Sequence, residues 1–340
     1  MNANKIPEAL NVILSSGRVP LLKSNPGQSK STQVHEYAQN NNLKLIDIRL
    51  SQIEPYDLLG LVGHENGKLI YYPPANIPLI SDKISKKYDG YLLFLDELLQ
   101  GSEEVQKAAF KLVYDRKIGD TDIHPSVQIV AATNHFTKGM GTIGMNAAFN
   151  NRFVHLDIDD IDTKDWLKWA YRNAIHPTII SFLHVNPEML NTYSADEVDD
   201  NPYASPRTYE FLSDNLKQMR LSDSQDELLK EIVIGNIGPK AGVIFLVTID
   251  NLDKLPTIKQ ILNKPNKAKV PKKQHQYGVI GMISEVADKD NIAVLSKYIS
   301  RLHIDIQFLV NIAIIEKDRK LYSSKPIKKW VKKNNNFLVW

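Results

Sequence analysis

Three stretches carry residue types that together could do phosphate chemistry. The first reads Leu21-Leu22-Lys23-Ser24-Asn25-Pro26-Gly27-Gln28-Ser29-Lys30-Ser31-Thr32, an apolar run passing into a turn-forming segment and then a lysine followed by hydroxyls. A strand ending in such a loop aims successive backbone N–H groups at one point, and the helix after it adds the positive end of its dipole, so an anion fits there. Against the phosphate-loop pattern G-x-x-x-x-G-K-[ST], Lys30 is the cation for the β- and γ-phosphates and Ser31 the hydroxyl for Mg²⁺. Asn25, Pro26, Gly27, Gln28, Ser29 and Thr32 complete the nucleotide-binding stretch. Ser24 and Ser29 stand where the pattern has glycine. Glycine permits φ > 0 and close backbone approach, so a Cβ at either position is expected to weaken the phosphate contact. Alone, the segment reads equally as a polar turn joining a strand to a helix.

The second stretch, Tyr91-Leu92-Leu93-Phe94-Leu95-Asp96-Glu97, is a continuously apolar strand that delivers two carboxylates at its C-terminal end, where an open α/β sheet binds its ligands. Asp96 would support Mg²⁺ and Glu97 would polarise the attacking water; a buried strand simply meeting solvent is the plain alternative. The third stretch, residues 127–133, is another buried strand and ends on Asn134, which beside an acidic strand can orient a water. Arg152 stands immediately before a further strand. Ser205-Pro206-Arg207-Thr208 opens a helix, with Ser205 as cap and Pro206 at the first position. Arg207 then falls in the first turn, where the dipole disfavours a cation by roughly 0.3–1 kcal/mol, and so needs an anion nearby.

The elements that must position these residues follow from periodicity. Residues 5–17 read as a short amphipathic helix with Ile6, Leu10, Ile13 and Leu14 on one face and Gly17 as its stop. A strand at 19–23, the loop, a helix from Lys30 to about 40 and a strand at 43–48 give the order that a phosphate loop requires. Asn66-Gly67 marks a type I′ hairpin within 60–75, ended by Pro73 and Pro74. Residues 103–114 form a helix with Val105, Ala108, Ala109, Leu112 and Val113 inward. Gly139-Met140-Gly141-Thr142-Ile143-Gly144 formally matches G-x-G-x-x-G, but five residues separate it from the preceding strand, and it reads as a flexible loop. After Asp162 the pattern is mostly helical, at 166–174, 177–184, 206–219 and 226–234. The acidic run 196–200 and the basic clusters 264–273 and 325–333 read as solvated loops.

Composition bounds the rest. The chain has 340 residues, enough for two domains, and at 43% hydrophobic and 24% charged it is an ordinary globular sequence. Lys and Arg number 42 against 39 Asp and Glu, a net +3 that predicts no obligatory nucleic-acid or membrane partner. The absence of cysteine excludes disulfides, thiolate chemistry and cysteine-ligated zinc. The start of the chain lacks the pattern of a signal peptide, and the longest apolar runs, 241–249 and 308–315, are far short of the ~20 residues of a membrane span. A cytoplasmic protein is expected. The nine histidines form no metal-binding spacing and no G-x-S-x-G nucleophile motif is present.

Taken together, the motifs resemble the AAA+ superfamily and, within it, the MoxR-like branch. Residues 24–31 resemble Walker A, 92–97 Walker B, Asn134 sensor 1, Asn151-Arg152-Phe153 the arginine-finger position and Ala204-Ser205-Pro206-Arg207 sensor 2. The branch is carried by 45–52 followed by Asp57-Leu58-Leu59-Gly60, and by 94–98 followed by the helix to Asp115-Arg116. The resemblance implies an α/β fold, a P-loop AAA+ parallel-sheet ATPase core over residues 1–160 with a C-terminal helical lid domain and extension over 161–340. It implies ATP and Mg²⁺ as cofactors, Ser31 and Asp96 at the metal, and catalytic roles for Glu97, Asn134, Arg152 and Arg207. It further implies a homo-oligomer, a hexameric ring that hydrolyses ATP at subunit interfaces. Such a ring would remodel or activate a protein partner, as family members do with von Willebrand factor A proteins, and would not involve a membrane. Two alternatives stay open: an ATP-binding assembly scaffold with little hydrolysis, and a nucleic-acid-stimulated AAA+ motor.

Overall fold

The computed structural model describes residues 1–83, 85–135, 147–194, 201–219, 227–250 and 254–334. The glycine-rich match at 139–144 and the acidic run at 196–200 lie outside them. The chain divides into two compact units, Met1–Asp160 and Ile161–Trp340.

In the first unit, α1 (Ile6–Ser15) buries Ile6, Leu10, Ile13 and Leu14 and leads into β1 (Val19–Ser24). Then follow α2 (Lys30–Asn40), β2 (Leu43–Arg49) and α3 (Pro55–Leu59). The hairpin β3 (Leu61–Glu65) and β4 (Lys68–Tyr72) comes next, and after it β5 (Gly90–Asp96) and α4 (Glu103–Asp115). The small ladder β6 (Lys117–Ile118) and β7 (Thr121–Asp122), then β8 (Val127–Asn134), α5 (Ala147–Asn150) and β9 (Phe153–Asp157), complete the unit. The main sheet has five strands in the order β2-β5-β8-β1-β9, and every pair is parallel. Every residue of β5 is buried. Because successive side chains alternate between faces, Leu93, Leu95, Ile129 and Ala131 meet α4 on one side of the sheet, while Leu92, Phe94, Val130 and Leu22 meet α1 and α2 on the other. All these strands end together on one rim, and the rim carries the chemistry.

The hairpin forms as its turn dipeptide demands, with Asn66 at φ 50° and Gly67 at φ 76°, the two positive angles of a type I′ turn. It projects Leu61, Val62 and Leu69 outward. Its second strand is nevertheless held: the Tyr71 ring lies over Gly119 of the β6–β7 turn, where a Cβ would come within 2.7 Å of it.

The second unit is helical: α6 (Thr163–Arg172), α7 (Pro177–Val185), α8 (Pro206–Lys217), α9 (Glu227–Asp250) and α10 (Ile258–Asn263), then α11 (Gly278–Val286), α12 (Ile292–Ile299), α13 (Ile304–Lys317) and α14 (Lys325–Lys333). They enclose a core built on Phe182, Tyr209, Phe245, Ile283, Leu295 and Ile314.

Two expectations change here. The basic cluster 325–333 is a helix and not a loop, because Ile327, buried, and Val331, partly buried, recur at helical spacing and pack on the core. The helix expected over 226–234 runs on to Asp250, and by length and composition it could cross a membrane. It is interrupted at Gly238, whose φ of 72° and ψ of 168° are not helical, as suits a residue preceding proline. Leu229, Val233, Ile237, Ala241 and Phe245 are buried in the helical core.

Candidate active site

The rim of the parallel sheet gathers most of the candidate residues. Between β1 and α2 the loop turns on two left-handed residues, Gly27 at φ 77° and Ser29 at φ 58°. A serine in that conformation costs roughly 1–2 kcal/mol, yet it keeps the loop shape that glycine would give. Ser24, the other departure from the pattern, is fully buried. Its hydroxyl donates to the Asn25 carbonyl at 2.8 Å and accepts from the Lys30 ammonium at 2.7 Å. The serine is thus a tether for the lysine, and Lys30 also donates to Asn134 Oδ1 at 3.0 Å. Asn134 is within reach because the β1–β8 register sets it opposite Ser24. Asn25 is itself fixed by donating to Asp160 Oδ1 at 3.1 Å. Pro26 and Gly27 are half-buried, Gln28 is buried, and Thr32 is exposed in the first turn of α2.

At the end of β5, Asp96 accepts from the Ser31 hydroxyl at 2.8 Å through one carboxylate oxygen and from the Glu97 backbone N–H at 2.9 Å through the other. A hydroxyl and a carboxylate oxygen in contact are the hard donors that Mg²⁺ takes alongside phosphate and water; Ser31 and Asp96 therefore fit the metal. Glu97 lies just past the strand with φ 58°, and its Oε2 accepts from the Ser51 hydroxyl. Sequence reasoning missed Ser51 as a contact. Its place follows from strand register and not from any local spacing: β2 pairs with β5 so that Arg49 lies opposite Asp96, which brings a hydroxyl two residues further on beside Glu97.

Arg152 is exposed and stands apart from this cluster. Its backbone N–H donates to the Phe149 carbonyl at 3.0 Å, and its guanidinium carbon lies 3.6 Å from the centroid of the Tyr114 ring on the last turn of α4. One face of the cation is occupied by the ring, which leaves its N–H edge for an incoming oxyanion. Arg207 belongs to the second unit. It is exposed on the first turn of α8, where Ser205 and Thr208 form a reciprocal capping box. Its nearby anion there is Glu210, whose carboxyl is pushed above its ordinary value by burial and drawn back by Arg207. A cavity of about 870 Å³ opens elsewhere in the first unit, beside the hairpin base, lined by Arg49, Tyr56, Asp57, Tyr72 and Pro73 among others.

Strand order, the loop between β1 and α2, and the acidic pair ending β5 define the class: a parallel α/β core of phosphate-loop type followed by helices. No protein-family profile matches the chain. It is 27% identical over 176 residues to midasin of Dictyostelium discoideum, a match covering 48% of this chain and 3% of that protein's length. Among solved structures it is similar to a point mutant of Thermotoga maritima RuvB, with a TM-score of 0.41, 17% identity and coverage of 75% of this chain and 71% of that one. A Cytophaga hutchinsonii putative ATPase is matched at a TM-score of 0.38 and 14% identity over 98% of this chain and 89% of that one. Brucella abortus NtrX is matched at 0.41 and 13%, over 97% and 67%.

Proposed function

We propose that the chain is a MoxR-like AAA+ ATPase, which hydrolyses ATP at the subunit interfaces of a hexameric ring to remodel or activate a protein partner. The observation that carries this reading is the convergence of Lys30, Ser31, Asp96 and Asn134 through direct hydrogen bonds at the ends of β1, β5 and β8. The loop N–H groups and Lys30 hold the β- and γ-phosphates of ATP, whose oxygens replace the loop's own oxygens around the lysine. Ser31 and Asp96 hold Mg²⁺, which when bound neutralises charge on the phosphates. Glu97 accepts a proton from the attacking water and Asn134 orients that water. Arg152 acts on the site of the neighbouring subunit, a contribution of about 10³–10⁵ in rate for arginine fingers in other systems. Arg207 takes the γ-phosphate role that the resemblance implies. A cytoplasmic site of action is in keeping with a sequence free of cysteine.

The test is ATP hydrolysis across a series of protein concentrations, with particle size followed in parallel and Glu97→Gln as control. Turnover that appears as rings form, and is lost in Glu97→Gln, is expected. The scaffold reading is favoured by one observation, the Glu97 carboxylate engaged by Ser51, and ATP binding without turnover at every concentration would select it.

A further inference from the structure

The basic segment expected to be a solvated loop is instead fastened from below by the helical core. Arg301 donates to the carbonyl of Ala268 at 2.9 Å and also to that of Pro265. The hydroxyl of Tyr298, a fully buried side chain, donates to the carbonyl of Lys269 at 3.0 Å. Gln276, also buried, donates to the carbonyl of Pro271 at 2.9 Å and accepts from the His303 backbone N–H at 2.8 Å. Ala268 is buried beneath the loop. Backbone tied at four carbonyls in this way presents its side chains from fixed origins.

What it presents is a cavity of about 810 Å³ lined by Lys259, Lys264, Lys267 and Lys269 with Thr257, Gln260 and Asn263 as neutral hydrogen-bonding groups. Among the described residues no carboxylate lines it, and none of the four lysines enters an ion pair. The field extends beyond the cavity: desolvation first, and then Lys254, Lys272 and Lys269, hold His275 below the usual histidine value. Like charges held together without counter-charges are destabilising, so the arrangement gains free energy when an anion enters. The cavity's volume falls in the range of about 300–1,000 Å³ usual for small-ligand sites, and lysine binds phosphate as a compact point charge.

We infer that this cavity in the helical unit is a binding site for a compact polyphosphorylated anion, one molecule carrying several phosphates within a few ångströms of each other. The site is distinct from the phosphate loop and does not depend on the proposed ATPase function.

Calorimetry with myo-inositol hexakisphosphate tests it, using the full chain and a Lys30→Ala variant in which the phosphate loop is disabled. One molecule bound per chain in both proteins is expected. The combined Lys264→Gln/Lys267→Gln/Lys269→Gln variant should weaken binding by about tenfold or more and flatten its dependence on salt. Lys325→Gln/Lys328→Gln/Lys329→Gln, the same charge change on α14, should leave it within about twofold, since none of these lysines lines the cavity. Tyr298→Phe keeps every lysine but releases the Lys269 carbonyl, and should also weaken binding. The inference is overturned if the loop variant binds as well as the parent, if the α14 variant loses as much, or if a single-stranded oligonucleotide binds the same lysines more tightly than the compact anion.

Discussion

Glu97 is constrained twice, by a left-handed backbone and by the hydrogen bond from Ser51. A carboxylate that accepts a hydrogen bond from a hydroxyl is turned toward that donor, and one of its oxygens is taken from an incoming water. Ser51→Ala is therefore expected to raise basal ATP turnover by about threefold to tenfold, the range set by losing one charge-assisted hydrogen bond at a partly solvated position; steady-state phosphate release measures it, and a fall in rate would show that Ser51 serves the reaction itself. The Tyr114 ring under Arg152 makes a second residue-scale prediction. A cation–π contact at an exposed site is worth about 0.5–1 kcal/mol, so Tyr114→Ala should lower kcat several-fold with KM for ATP little changed. Tyr114→Phe, which keeps the ring face, should restore it. Loss in Tyr114→Phe equal to that in Tyr114→Ala would assign the effect to the hydroxyl instead.

At the scale of the element, α9 depends on one glycine. A Cβ at Gly238 would lie 2.0 Å from the Pro202 carbonyl oxygen, and the positive φ there is strained for any L side chain. Gly238→Ala should cost at least about 1–3 kcal/mol, seen as a lowered melting temperature of the helical unit. The parallel strands and the helices against them were legible in the sequence because a strand buried on both faces, as in β5, reads as an unbroken apolar run, and because glycine, proline and Asn66-Gly67 punctuate the rest. The site was legible to the extent that one loop and two strand ends carry it. Ser51 was not, because its partner is fixed by strand register, which no local spacing encodes. The continuation of α9 past residue 234 was hidden because Gly238-Pro239 reads as a stop, while tertiary packing resumes the helix after it. The short β6–β7 ladder is too brief to leave a periodic signal.

Over the whole molecule, separate cores in the two units predict separate responses to acid. His176 and His184, capping and lying within α7, are both held down to about 4, the first by burial with Lys217 adding to it and the second by burial. The Tyr171 hydroxyl and the His184 Nε2 share a hydrogen bond. Since the unfolded value is near 6.5, the unfolded chain binds these protons first, so stability is undiminished above pH 6.5 and falls as pH drops through 6.5 toward 4, by up to about 1.4 kcal/mol per pH unit for each histidine. Scanning calorimetry at pH 7 and pH 5 should show the helical unit's transition moving down while that of the sheet unit stays, and His184→Gln should reduce the shift. The strand order has a consequence of another kind, for the chain as it is made. β1 has no neighbour in the sheet until β8 and β9 exist, because β2, the next strand made, lies at the far edge. Roughly 100 residues separate the end of β1 from the start of β8, and at about 5–20 residues per second the apolar strand that carries the phosphate loop waits on the order of 5–20 seconds during translation for its first partner. In that interval Leu21 and Leu22 are a target for chaperones, and nucleotide has no preformed loop to bind until the ribosome has passed residue 134.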